Sequence, residues 1–164
     1  MVRDMNDIIV TREMLVADSI CIPAMEAFDE AFPNGSATLQ EIAEHPQWRP
    51  HWLGWLAVNA SFVTEDIAMA LIPQSGKPGQ YYGDAAIYAH WVTAETGPRL
   101  ISLSVNPECY YGWAVTQAHW VTAETGPGMI AKSSYPVGFA HWAIAHAKWM
   151  TPKIKAELIA KYGD

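Results

Sequence analysis

The chain has 164 residues, with 10 Lys/Arg against 17 Asp/Glu and a formal charge of −7. Hydrophobic residues make up 51% and charged residues 16%, which excludes a disordered chain and is enough for a sizeable core. The negative balance excludes sequence-independent binding of DNA or RNA, which needs a basic face for phosphates.

The N-terminal stretch lacks the apolar centre of a signal peptide. No apolar run approaches the ~20 residues of a membrane helix, so the reading is a cytoplasmic protein of a bacterial host with no membrane contact. Asp7-Ile8-Ile9-Val10 reads as a brief extended arm with no second strand to pair with. Thr11 with Glu13 begins a helix. Pro23 begins another, placing Met25, Phe28 and Phe32 on one stripe. Phe32-Pro33-Asn34-Gly35 is a turn, and Thr38 with Gln40-Glu41 opens a third, short helix. Residues 1–51 form a helical cap.

Beyond this cap the chain repeats. Residues 89–98 read AHWVTAETGP, and residues 118–127 read AHWVTAETGP again, 29 positions later. Tyr81-Tyr82-Gly83 recurs as Tyr110-Tyr111-Gly112. Trp91, Trp120 and Trp149 keep the spacing, as do Pro78, Pro107 and Pro136. The pairs Leu71-Ile72, Leu100-Ile101, Met129-Ile130 and Leu158-Ile159 share it too. The period divides the chain into units 52–80, 81–109, 110–138 and 139–164.

Within a unit, Pro78, Pro107 and Pro136 suit the first position of a helix, with Asn106 as an N-cap before Pro107. The spacing predicts about four helical turns from each proline, with Tyr81, Ala85, Tyr88, Ala89 and Val92 on one face. A second helix starts near Pro98, Pro127 and Pro152, the last capped by Thr151, and carries the Leu/Met-Ile pair. The expected architecture is all-α: a short helical-repeat stack of four ~29-residue helix-turn-helix units, continuous with the N-terminal helical cap.

The segment from Thr11 to Asn59, with Cys21, Phe28, Phe32-Pro33-Asn34-Gly35 and Trp52-Leu53-Gly54-Trp55-Leu56, resembles small uncharacterised helical proteins of phages and their bacterial hosts. The resemblance implies a mobile-element origin and carries over no catalytic residue.

The recurring aromatics are the first candidates for function. Trp55, Trp113 and Trp142 share one position, and Phe62, Trp91, Trp120 and Trp149 share another seven residues on. They are expected to pack as a ladder between helices, its margins free to anchor a partner. His90 and His119 fall opposite the core face and are read as exposed, with Lys148 at their position in the last unit. His141 and His146 are five apart, not the four that puts two ligands on one helix face, so no metal is expected. Glu95 and Glu124 precede a short helix and favour its positive end. Cys21 and Cys109 are read as buried small hydrophobes.

Charge is uneven. Residues 1–72 hold three Lys/Arg against eleven Asp/Glu, whereas residues 73–164 hold seven against six. Asp29, Glu30, Glu41 and Glu44 mark an acidic face suited to a basic partner. No nucleophile elbow, phosphate loop, dinucleotide fingerprint or Cys-x-x-Cys occurs. The reading is a non-catalytic protein-binding module, without cofactor and without direct contact to nucleic acid. Its partner would be a basic nucleic-acid-binding protein or complex. By analogy it is an inhibitor of a bacterial defence nucleoprotein complex, in the manner of anti-CRISPR proteins. Two alternatives stand beside it: a metal-dependent or hydrolytic enzyme using His90, His119, Glu95 and Glu124, and a self-associating structural protein whose repeats continue between copies.

Overall fold

Eleven α-helices and one two-stranded ribbon make up residues 4–163, the part of the chain that the computed structural model describes. These elements form two compact units, one up to Tyr81 and one from Tyr82. No helix among the described residues is long and apolar enough to cross a membrane.

In the first unit, a 3-10 turn at Met5–Asp7 leads into strand β1 (Ile9–Thr11). Helix α1 (Arg12–Ala17) starts from Thr11, whose hydroxyl accepts from Met14 N at 3.3 Å. Helix α2 (Ile22–Ala31) has Pro23 in its first turn. The turn that follows places Gly35 at φ +80, a conformation glycine adopts without a Cβ penalty. Strand β2 (Ser36–Thr38) then leads directly into α3 (Leu39–Glu44). Thr38 and Glu41 form a reciprocal capping box at 2.8 and 3.1 Å.

The extended arm does find a strand. β1 pairs antiparallel with β2, Val10 opposite Ala37 and both buried. Ser36-Ala37-Thr38 has no apolar alternation to announce it. It is extended because the Gly35 turn and the Thr38 cap leave three residues lying against Val10. Helices α4 (Pro50–Asn59) and α5 (Glu65–Leu71) and a 3-10 turn at Ile72–Gln74 complete this unit. Its core holds Leu15, Phe28, Leu39, Ile42, Leu56, Ile67 and Leu71, all without exposed surface to speak of. Each such side chain contributes roughly 1.5–3 kcal/mol by leaving water.

Helix α6 (Pro78–Tyr88) carries the boundary at Tyr81/Tyr82. The second unit continues with α7 (Thr96–Leu103), α8 (Pro107–Gln117), α9 (Gly126–Lys132), α10 (Pro136–His146) and α11 (Pro152–Tyr162). α6, α8 and α10 each begin at the expected proline. Asn106 caps α8 by accepting from Cys109 N at 3.4 Å, and Thr151 caps α11 by accepting from Ile154 N at 3.2 Å. The Leu100-Ile101 and Met129-Ile130 pairs are buried, as is Leu158.

Several expectations are corrected. α6, α8 and α10 have 11 residues each, about three turns rather than four. Their ends precede the duplicated block, so His90, Trp91, His119 and Trp120 stand in turns between helices and not on a helical face. Tyr88, assigned to the core face, is 57% exposed, and Trp113 is also exposed. Cys21 is exposed and Cys109 half-buried, so they are not a buried pair.

Candidate functional site

The duplicated sequence folds into the same turn twice. Thr93 N donates to Thr96 Oγ1 at 2.8 Å, and Thr122 N donates to Thr125 Oγ1 at 3.0 Å. Gly97 N donates to Thr93 O, and Gly126 N to Thr122 O, both at 2.8 Å. The threonine pairs thus bond the backbone that leads into α7 and α9. Glu95 and Glu124 sit between the paired threonines, both exposed. Three further residues in this register were not singled out from the sequence. Ser75, Ser104 and Ser133 are buried, and each hydroxyl donates to the carbonyl three residues back, at 2.6, 2.5 and 2.6 Å. Each of these carbonyls also accepts the N–H of the same serine, so backbone and hydroxyl together close the helix end.

Tryptophans pack against glycines at the starts of α7 and α9. A Cβ on Gly97 would collide with the Trp120 ring, and one on Gly126 with the Trp149 ring. Trp120 is 5% exposed, and its indole N–H donates to Ala86 O at 2.6 Å. It is therefore a packing residue, while Trp91 is half-buried. His90 and His119 are both exposed. His119 Nε2 lies 3.0 Å from Val92 O, donating in the N–H tautomer. Tyr88 Oη donates to Gln117 Oε1 at 3.0 Å. Tyr110 Oη donates to Asp84 Oδ1 at 3.3 Å. Burial first, and then the Asp84 carboxylate and its hydrogen bond, push the Tyr110 phenol up to about 12.

In the same unit, a half-open groove of about 640 Å³ lies along the ends of α8 and α10. Trp142, Trp149, His119, His146 and Lys148 line it, together with Val115 and Val121. The Trp142 and His146 rings lie 5.4 Å apart. Of this set His119 and the recurring aromatics Trp142 and Trp149 were candidates from the sequence. The signal for the rest was the change at fixed register, Gln117 to His146 and His119 to Lys148.

The acidic candidates lie in the first unit and are all exposed. Asp29 pairs with Arg12 at 2.9 Å. Glu41 serves the α3 capping box, and Glu44 accepts from Gln40 Nε2 at 2.6 Å. Glu30 does something different. With Glu26, one turn away on α2, it lines a groove of about 340 Å³ that also contains Gln47, Arg49 and Trp52. Gln47 Nε2 reaches Glu30 Oε1 at 3.5 Å, and the Arg49 guanidinium stands 5.5 Å from the Trp52 ring.

Among the described residues, no group of three or more His, Cys, Asp or Glu is gathered where a metal ion would be held. His90, His119, Glu95 and Glu124 lie in two separate turns. No protein-family model, curated protein or solved structure matches the chain.

Proposed function

We propose that the protein is a non-catalytic binding module that docks on a basic protein surface through its first unit. The observation that carries this reading is the groove of Glu26, Glu30 and Trp52. Its two carboxylates are exposed and one helical turn apart, and the Arg49 guanidinium in the same groove stands over the buried Trp52 ring. A lysine or arginine of a partner would pair with the carboxylates. Asp29, Glu41 and Glu44 extend the negative field around it, which steers a basic partner and makes association sensitive to salt. Basic partners of this kind include nucleic-acid-binding proteins. The resemblance to phage proteins extends the proposal to an inhibitor of a bacterial defence nucleoprotein complex.

We further infer that residues 52–80, 81–109, 110–138 and 139–164 are copies of one helix-pair unit, giving a repeat stack on the cap of residues 1–51. The support is local and recurs at 29 residues: prolines at helix starts, serine-closed helix ends and glycines against aromatic rings.

The test is fluorescence anisotropy with a labelled arginine-rich peptide. Binding should weaken between ~0.05 and ~0.5 M salt as the Debye length shrinks. The double reversal Glu26→Lys/Glu30→Lys should weaken it by at least about tenfold, a loss of ~1.4 kcal/mol. Peptide binding unchanged by the double reversal would overturn the docking site.

A further inference from the structure

We propose that the groove along the ends of α8 and α10 is a binding site for a small aromatic carboxylate. The argument starts from a comparison across the 29-residue register. Residues 117–120 make three side-chain hydrogen bonds between the 110–138 and 81–109 segments: Tyr88 to Gln117, His119 to Val92 O, and Trp120 to Ala86 O. Moving each pair on by 29 gives Gln117 with His146, Lys148 with Val121, and Trp149 with Val115. All six of these residues line the groove. It occupies the position where three cross-links would have closed the surface.

The changed residues define the chemistry of the opening. The Lys148 ammonium and the Trp149 indole N–H make none of the hydrogen bonds found among the described residues, and both border the groove. Imidazoles of His119 and His146 stand beside them, and no Asp or Glu is in the lining. The polar side is therefore rich in donors and carries positive charge, which selects a carboxylate over an amine or an alcohol. The lining also includes the Trp142 and Trp149 rings with Val115 and Val121, which suit a flat apolar body. The volume falls within the ~300–1,000 Å³ of small-molecule sites. This site lies in the second unit and is independent of the acidic groove in the first.

Isothermal titration with indole-3-acetate, and with indole-3-acetamide as its neutral isostere, tests the assignment. The acid should bind, and the amide should bind about tenfold more weakly or worse, as expected when a charge-assisted hydrogen bond is lost. Lys148→Gln, at an exposed position, should weaken the acid about tenfold and leave the amide unchanged. Trp149→Phe keeps a ring against Gly126 and removes the N–H, and should weaken the acid several-fold. Circular dichroism of both variants checks that they fold. No binding of the acid at millimolar concentration, equal binding of acid and amide, or a Lys148→Gln protein with unchanged affinity would each overturn the proposal. So would a polyglutamate peptide that binds this groove while the small acid does not.

Discussion

Two places in the second unit have the same design and opposite outcomes. Where residues 118–125 turn beside the end of α6, the surface is sealed. Trp120 is buried with its N–H on Ala86 O, His119 reaches Val92 O, and Gln117 meets Tyr88. One period later the turn at residues 147–151 lies beside the end of α8, and there the chain leaves a groove. The backbone recipe is shared, with a proline start, a three-turn helix and an extended residue after it. The difference rests on a few side chains. Histidine replaces glutamine at 146 and lysine replaces histidine at 148, while Trp149 stays half-buried. The same backbone recipe can thus end in a closed seam or in an open groove.

Substitutions at the two tryptophans should separate these places most widely. Trp120→Ala removes a buried ring and its hydrogen bond and should cost about 3–5 kcal/mol in urea unfolding. Trp149→Ala, at a half-buried ring, should cost about half as much. Equal losses would mean that the two turns are energetically alike and that the open groove is a detail of shape alone. The glycines come next. Gly97→Ala drives a methyl into the Trp120 ring, which is tethered at Ala86 O, and should cost about 1–3 kcal/mol. Gly126→Ala meets the Trp149 ring, which is free to tilt toward the groove, so the penalty should be smaller.

What was legible in the chain was whatever acts locally. Thr38, Asn106 and Thr151 cap helices because their side-chain oxygens reach backbone N–H groups three residues on. The first three Leu/Met-Ile pairs and Leu158 are buried because their register is that of a packed face. The end of α6 was not legible, since Tyr88-Ala89-His90-Trp91 contains no residue that breaks a helix. Ala86 O in its last turn accepts from Trp120, 34 residues away, but α8 stops at the same register, Gln117, without such a bond, so this contact does not set the stop. Ser36–Thr38 was missed because Ser36-Ala37-Thr38 offers one small apolar side chain and no alternation, and it becomes a strand only with Val10 beside it. The groove was half visible. The departure at Lys148 stands out in the register, but sequence alone treats it as a defect in a histidine array. Coordinates show that it borders open space with Trp142 and Trp149.

Sealing the open place is a sharper test than damaging the closed one. Lys148→His restores at 148 the residue found at 119, where an imidazole bonds the neighbouring turn's backbone. The added bond to Val121 O should stabilise the protein by about 0.5–1.5 kcal/mol in urea unfolding. A stability equal to or below that of the parent would show that His146 or the half-buried Trp149, and not the residue at 148, holds the groove open.

The smallest expected effect concerns pH. Tyr110 and Asp84 join α8 to α6, whereas their counterparts one period on are Phe139 and Trp113, which carry neither a phenol nor a carboxylate. The Tyr110 phenol is raised from 10.0 to about 12, first by burial and then by Asp84. A group whose folded pKa lies above its unfolded value holds its proton more firmly in the folded state. Its contribution is complete below about pH 10 and is lost as pH rises through about 12. The melting temperature should therefore fall over this window more steeply in the parent than in Tyr110→Phe, where the phenol is gone. The two proteins differ only at this side chain, so the difference between the two profiles isolates Tyr110. Asp84→Asn should leave an intermediate slope, because burial still raises the phenol while the charge no longer does. Superimposable profiles for the parent and Tyr110→Phe would mean that this pair adds no alkaline sensitivity to the closed seam.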